Sequence, residues 1–316
     1  MLGIDVSKDN LVASLMEPIT KKARWTRPVP NTEAGIRKLL ALTPADVPWV
    51  LEPTGRYSLL AVKLAQEAGR TVLMADPKAA HHFLKSLQSR AKTDKIDSKG
   101  LALMGLERSL KPYRIKAAAL EQVDQLLSAR RGITDAITRL KLQARELPHA
   151  AGPLRKAVEE LETQQRELEH QLARLKKEEP TLAVAAELER LPGIGLITAV
   201  TAVSRLASHS FARADQWVAF VGWDIDIRQS GKRKGEKGLT KQGEGELRRL
   251  FYLAAKSSVR AKGSPFAAQY EREKKKGLKK TAALCAVARK MARVVWSLYH
   301  HQTTYDPGRV YAAQPA

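Results

Sequence analysis

The chain of 316 residues holds a single cysteine, Cys285. That excludes an intrachain disulfide and any cysteine-rich zinc site, and it fits a reducing compartment. Aromatic residues make up only 5%, which argues against base-stacking platforms as the main grip on a nucleic acid. The seven histidines include the pairs His81-His82 and His300-His301 but form no HExxH pattern. No apolar run approaches the ~20 residues that span a bilayer. The opening MLGIDVSKDN carries Asp5 inside its apolar stretch, unlike a signal peptide. Acidic residues are the remaining shortage: 33 Asp+Glu face 55 Lys+Arg, a net charge of +22. Self-repulsion at that charge opposes compaction. A polyanionic partner explains it, because each Lys or Arg placed beside a phosphate releases condensed counterions. An acidic membrane surface is the competing explanation.

What is present is ordinary globular material, 44% hydrophobic and 28% charged, in a length that suggests about two domains. Residues 1–112 have an α/β pattern. Leu2 to Val6, Leu11 to Met16 and Ala23 to Val29 form three strands. A helix over Thr32 to Leu42 follows, capped by Asn31 or Thr32. Then come a buried strand at Trp49-Val50-Leu51, a helix from Tyr57 to Ala68 stopped by Gly69, and a strand from Thr71 to Ala75. Three strands, a helix, then alternating strand and helix is the order of an RNase H-like sheet, although other α/β folds share it.

Residues 113–182 are long, charged and poor in Gly and Pro. Leu126, Ile133, Ile137, Leu140, Ala144 and Leu147 keep 3/4 spacing, with Arg130 in the missing step. After Pro148-His149-Ala150-Ala151-Gly152-Pro153, a heptad seam runs through Leu154, Val158, Leu161, Gln165, Leu168, Leu172 and Leu175. The spacing predicts two long coiled-coil helices that fold into a hairpin or pair with another chain. A single narrow seam per helix favours dimerisation. Residues 183–302 form a mostly helical unit, and 303–316 a loose tail. Pro192-Gly193-Ile194-Gly195 between two helices resembles a helix-hairpin-helix turn, whose amides can hold a backbone phosphate. The same glycines also suit close helix packing.

Four acids carry the candidate chemistry. Asp5 lies in the first strand, Glu52 at the end of a later one, and Asp94 and Asp97 at the start of a helical run, three residues apart and so on one face. Carboxylates from strand ends and a helix can converge at one sheet edge. Such a cluster repels itself and needs cations. Mg²⁺ or Mn²⁺ is the natural choice for an all-oxygen set. Two ions can clamp the attacking and leaving oxygens of a phosphodiester. Taken singly each acid has a structural alternative; Asp97, for example, suits an N-cap of a helix over Ser98 to Leu106.

The segments LGIDVSK, VLEPTGRY and AKTDKIDSKG, in that order, resemble the DEDD transposases of the insertion sequence 110 family and the related pilin-gene DNA invertase. LERLPGIGLITA, FARADQWVAFVGW and RQSGKRKGEKGLTKQGEGELRRLFYLAA resemble that family's C-terminal domain. The resemblance runs from Leu2 to about His300. It implies a RuvC-like domain over 1–112 with Asp5, Glu52, Asp94 and Asp97 as ligands of two Mg²⁺ ions, coiled-coil dimerisation helices over 113–182, and a C-terminal transposase domain over 183–302. It implies Ser230, in Arg228-Gln229-Ser230-Gly231, as a nucleophile that forms a covalent phosphoserine with cut DNA. It further implies a noncoding bridge RNA that guides the protein to donor and target DNA, a homo-oligomer that is tetrameric in the synaptic complex, and a prokaryotic, cytoplasmic, nucleoid-associated setting. The sequence departs from the family where its usual proline is absent, at Gly222-Trp223-Asp224-Ile225-Asp226-Ile227.

The candidate backbone contacts are basic. Arg228, Lys232, Arg233, Lys234, Lys237 and Lys241 surround Ser230 against the lone Glu236. Arg90 and Lys92 flank Asp94, Gly193 and Gly195 form the PGIG turn, and Lys274, Lys275 and Lys276 form a run. Arg248-Arg249 and Arg289-Lys290 lie on helices, where snorkelling over apolar surface is an equal alternative. Trp217 and Trp296 are expected in the core. The reading is an RNA-guided DNA recombinase. An invertase of the same fold without a guide RNA and a non-catalytic nucleic-acid-binding protein are the alternatives.

Overall fold

The computed structural model describes residues 1–87, 94–113, 115–226, 229–230, 233–234 and 238–310. For Arg56, Asp226, Gln229, Ser230, Arg233 and Lys234 the backbone alone is described. The chain divides into two compact units, Met1–Ile115 and Lys116–Ala316.

In the first unit, β1 (Leu2–Val6), β2 (Asn10–Met16) and β3 (Ala23–Pro30) form an antiparallel meander. Helix α1 (Glu33–Leu42) follows, with the Thr32 hydroxyl accepting from the Gly35 amide at 3.3 Å as N-cap. Then come β4 (Trp49–Leu51), α2 (Arg56–Glu67), β5 (Val72–Met74), α3 (Pro77–Ser86) and α4 (Asp94–Glu107). The sheet order is β3-β2-β1-β4-β5, with β4 and β5 parallel to β1. Strand alternation divides the core. Leu2, Ile4, Leu11, Ala13 and Leu15 face Ile36 and Leu39 of α1 and Ala61, Val62 and Ala65 of α2. Val50 and Leu73 face Ala80 and Phe83 of α3 and Leu101 and Met104 of α4. Helix α3 escaped the sequence reading, although Asp76 caps it, accepting from the Ala79 amide at 2.9 Å, and Pro77 opens it. Helix α4 begins at Asp94, which corrects the alternative of Asp97 as N-cap: Asp97 is inside the first helical turn.

Small residues bring α4 onto the sheet. A Cβ on Gly3 would lie 2.1 Å from the Ser98 carbonyl oxygen and 2.3 Å from the Ala102 amide nitrogen. A buried hydroxyl pair ties the same interface, Ser14 to Ser98 at 2.8 Å, and Ser14 also meets the Thr26 hydroxyl of β3 at 2.8 Å. Gly3→Ala must therefore push α4 off β1, and it is expected to cost about 2–3 kcal/mol in urea unfolding. Gly132→Ala is the control. A Cβ there meets nothing within 4 Å, and on a helix the change is expected to stabilise by about 1 kcal/mol.

The second unit opens with α5 (Ala118–Glu146) and α6 (Ala151–Glu178), which pair with each other. Ile137 and Val158 are buried, and ion pairs Arg130–Glu169 and Lys141–Glu162 cross between them. The Gln165 amide donates to the Thr134 hydroxyl at 2.7 Å, which satisfies the one polar position of the seam. The seam thus serves the chain's own hairpin. Leu120, Val123, Leu172 and Leu175 root the hairpin in the main core. That core is built with α7 (Ala185–Leu188), α8 (Leu196–Ser208), α9 (Ala214–Val221), α10 (Gly245–Ser258), α11 (Pro265–Lys275) and α12 (Lys280–His301). Trp217 and Trp296 are buried in it, as expected. Among the described residues between α9 and α10 are the strands β6 (Ile225–Asp226), β7 (Gln229–Ser230), β8 (Arg233–Lys234) and β9 (Gly238–Leu239). β6 pairs with β9 and β7 with β8, both antiparallel. Among the described residues no helix is long and apolar enough to cross a membrane.

Candidate active site

Register and alternation place the first two acids. In the parallel β1–β4 pair, Gly3 is level with Val50 and Ile4 with Leu51, so Asp5 is level with Glu52. Asp5 is two residues beyond Gly3, and Glu52 two beyond Val50, so both belong to the α4 side of the sheet. The close approach at Gly3 then carries the first turn of α4, with Asp94 and Asp97, to the same edge. The positive end of the helix dipole favours carboxylates in that turn.

The electrostatics of Asp5 register this gathering. Its carboxyl is half-buried and pushed up to about 6, first by burial, then by repulsion from Asp94, Asp97 and Glu52, against a hydrogen bond from the Val6 amide. Asp94, Asp97 and Glu52 are each within electrostatic reach of Asp5. Among the described residues, no three His, Cys, Asp or Glu side chains stand close enough together to hold a metal ion as they are. The donor chemistry nevertheless fits a hard divalent cation, since these are all carboxylates with no nitrogen or sulfur donor, and the repulsion at Asp5 is what a cation would relieve.

The Ser230 segment is seen through its backbone. Ser230 pairs with Arg233 and Gln229 with Lys234, inside the outer β6–β9 pair. The base of this ribbon is pinned. The Thr240 amide donates to the Asp224 carbonyl at 3.1 Å, and the Thr240 hydroxyl donates to the Asp224 carboxylate. Gly222, at φ 81°, ends α9. A Cβ on Gly243 would come 2.4 Å from the Phe220 carbonyl oxygen. Lys241 is exposed, at φ 53°.

A charge network that sequence reading missed lies at the end of the ribbon. The Arg205 guanidinium donates to both Glu244 oxygens, at 2.8 and 3.0 Å, and to Asp124. Asp124 also accepts from Lys116 at 2.6 Å and from Ser204 at 2.8 Å. Burial opposes ionisation of Asp124, but Lys116, Arg205 and Ser204 outweigh it and hold the carboxyl below the usual range. Burial likewise opposes the charge on Arg205, and Glu244 and Asp124 overcome it. The partners lie 81 and 39 residues apart, so no local pattern announces them.

The remaining candidates divide. Gly193, at φ 89°, packs against α10, where a Cβ would come 2.2 Å from the Ala254 carbonyl oxygen, so its role is helix packing. Both glycines are exposed, but a Cβ on Gly195, at the N-terminus of α8, would meet nothing within 4 Å. Lys274, Lys275 and Lys276 are exposed; Lys274 and Lys276 lie 3.8 and 3.1 Å from Glu271 and Glu273. Arg248 donates to the Val221 carbonyl at 3.3 Å, and Arg249 forms a two-pronged pair with Glu246. Arg90, Lys92, Arg228, Lys232 and Lys237 lie outside the described residues.

A sheet of this order, with acids at the ends of β1 and β4 and on a helix laid across them, is compatible with an RNase H-like domain of the DEDD type. Two family models match the chain: an IS110-type DEDD transposase over residues 2–153 and the IS116/IS110/IS902 transposase family over residues 185–271. The chain belongs to the IS110 family of transposases. It is similar to the transposase of insertion sequence IS1111A from Coxiella burnetii, 30% identical over 129 residues, 38% of this chain and 34% of that protein. It is also similar to the 42 kDa protein of insertion element IS900 from Mycobacterium paratuberculosis, 28% identical over 125 residues, 39% of this chain and 31% of that protein. The matched region spans about a third of the length of each of these relatives.

Proposed function

We propose that the protein is a DNA transposase that cuts and rejoins strands through its acidic cluster and Ser230. The observation that carries this reading is the coupling of Asp5 to Asp94, Asp97 and Glu52 at one sheet edge, in a chain of a transposase family. Asp5, Glu52, Asp94 and Asp97 would hold Mg²⁺ or Mn²⁺, which supplies charge neutralisation and polarisation of the scissile phosphate. The Ser230 hydroxyl attacks that phosphorus. An Oγ–P bond forms, the bond to the leaving oxygen breaks, and the serine proton ends on the leaving strand as its free hydroxyl. The serine needs activation, and the basic segment from Arg228 to Lys241 supplies positive charge to the developing phosphorane. The joined strand is later released by attack of another hydroxyl on the phosphoserine.

The same reading extends to partners. A noncoding bridge RNA selects donor and target DNA by pairing, which fits a protein rich in base and poor in aromatic residues. Protomers associate into a tetramer, and the acids of one protomer serve the serine of another.

The test is to incubate the protein with the ends of its element and Mg²⁺, then digest and map any protein–DNA adduct. Wild type is expected to carry a nucleotide on Ser230, and Ser230→Ala is expected to lose the adduct by at least about 100-fold. An adduct retained in Ser230→Ala overturns the nucleophile. Sequencing RNA that co-purifies tests the guide: a defined RNA from sequence flanking the gene is expected, while recombination without RNA makes the protein an invertase-like enzyme.

A further inference from the structure

Helix α8 is enclosed along its length. Every residue from Thr198 to Ser204 is buried, which covers the whole circumference, and α5, α6, α7, α10 and α12 all pack against it. Its flanks are dry, so the partial positive charge at its N-terminus is poorly screened by water along the helix. That end is open. Gly195 is the N-cap, is exposed, and supplies no side-chain cap. The first backbone bond of the helix runs from the Ala199 amide to the Gly195 carbonyl at 3.0 Å, so the amides before Ala199 have no carbonyl to meet within the helix.

Thr198, at the third helical position, is an independent sign of a ligand. It is only 8% exposed. Among the described residues its hydroxyl has no hydrogen-bond partner, whereas Thr201, one turn on, donates to the Ile197 carbonyl at 2.6 Å. Side chains on a helix lean towards its N-terminus, so Thr198 is directed at the open end. A buried hydroxyl left without a partner is costly, and an acceptor seated on the helix end satisfies it together with the amides. The acids of the preceding segment are engaged elsewhere. Glu187 meets Arg190 at 3.1 Å and the Tyr305 amide at 3.2 Å, and Glu189 meets Lys176 at 2.8 Å. The adjoining turn is basic. Gly193 packs on α10 at Ala254 and Ser258, and Arg260 and Lys262 follow Ser258 on the way to α11. Both are exposed, and among the described residues neither has a carboxylate partner.

We infer that the N-terminus of α8, with the amides from Gly195 to Ile197 and the Thr198 hydroxyl, seats one phosphate of duplex DNA, and that Arg260 and Lys262 meet flanking phosphates. Free amides, a hydroxyl donor and the helix dipole all select an anionic oxygen. The contact is to the backbone and so is independent of base sequence. DNA is the occupant because all these residues lie within 185–271, the stretch that matches a transposase family. The assignment deepens the DNA-transposase reading and rests on it.

The test measures binding of the full-length protein to a DNA duplex of unrelated sequence by fluorescence anisotropy, between 50 and 200 mM KCl, with an RNA hairpin as the second arm. The decisive variant is Gly195→Asp. Gly195 has extended backbone at φ −106°, and a Cβ there meets nothing within 4 Å, so Asp fits. Its carboxylate caps the same amides that would hold the phosphate. Its melting temperature is expected to equal or exceed that of wild type, while duplex binding near 150 mM salt weakens at least about tenfold. Gly195→Ala leaves the amides open and is expected to bind as wild type does. Thr198→Val is expected to bind about fivefold more weakly, and Arg260→Gln to lower the log–log salt slope by about 1. If Gly195→Asp melts at or above wild type and binds the duplex equally well, the site is wrong. If Gly195→Asp is less stable than wild type, Thr198→Val decides, and wild-type binding by it overturns the site. Weakening confined to the RNA hairpin overturns DNA as the occupant. If wild type itself fails to bind duplex DNA, the transposase reading beneath the site fails with it.

Discussion

Asp5→Asn is expected to make the protein more stable at pH 7.5 in the presence of a chelator. In the folded chain the Asp5 carboxyl is raised to about 6 by burial and by Asp94, Asp97 and Glu52, from an ordinary value near 3.8. Between those values the native state binds more protons than the unfolded chain, so stability falls as pH rises from about 4 to about 6 and stays reduced above. Asparagine removes the charge and keeps an oxygen to accept from the Val6 amide. The group is half-exposed, so solvent screening reduces the gain to about 1–2 kcal/mol. For a unit of this size that is about 4–8 °C in melting temperature. The gain should shrink towards zero below about pH 3, where Asp5 is protonated in both states. A variant no more stable than wild type at pH 7.5 would mean the acids do not repel one another as described. The same repulsion is the reason to expect a divalent cation to stabilise wild type more than Asp5→Asn.

Arg205→Met should act in the opposite direction and more strongly. The guanidinium is the shared partner of Asp124 and Glu244, whose side chains are only 24% and 23% exposed. Removing it leaves two poorly solvated carboxylates without their cation, and breaking such an arrangement costs about 3 kcal/mol. Urea unfolding at pH 7 should show that loss. Glu244→Gln should cost less, because Arg205 keeps Asp124. The Asp124 carboxyl is held low in the folded state, so its stabilisation is present above the ordinary carboxylate range and is lost as pH falls through and below it. The difference between wild type and Arg205→Met should therefore narrow towards pH 3. Glu244 closes the segment that carries Ser230, so the variant should also lose strand-joining activity at temperatures where it remains folded.

The acidic cluster was legible because its determinants are local. A short apolar strand, an acid near its end and a second strand ending in an acid are visible in LGIDVSK and VLEPTG, and parallel pairing brings Asp5 level with Glu52. Gly3 carried a further signal. A glycine inside a strand marks a close backbone approach, and here it admits α4 with Asp94 and Asp97. Asp94 and Asp97 at the start of a helical run were legible too; the alternative of Asp97 as N-cap fails because nothing in Asp94-Lys95-Ile96 resists helix. The two glycines of PGIG could not be told apart in sequence, since only the neighbouring α10 backbone makes Gly193 a packing residue. The seam of α5 and α6 likewise had two possible partners, and the chain uses it to pair the two helices with each other. The Arg205 network depends on tertiary neighbours alone and leaves no periodic trace.

The most direct measurement is Mg²⁺-dependent cleavage of element-end DNA by wild type and by Asp5→Asn, both verified as folded. The account predicts that wild type cuts in Mg²⁺ and not in chelator, and that Asp5→Asn, although the more stable protein, cuts at least about 1000-fold more slowly. Cleavage by Asp5→Asn at the wild-type rate would contradict it, because the acidic edge would then be no part of the chemistry.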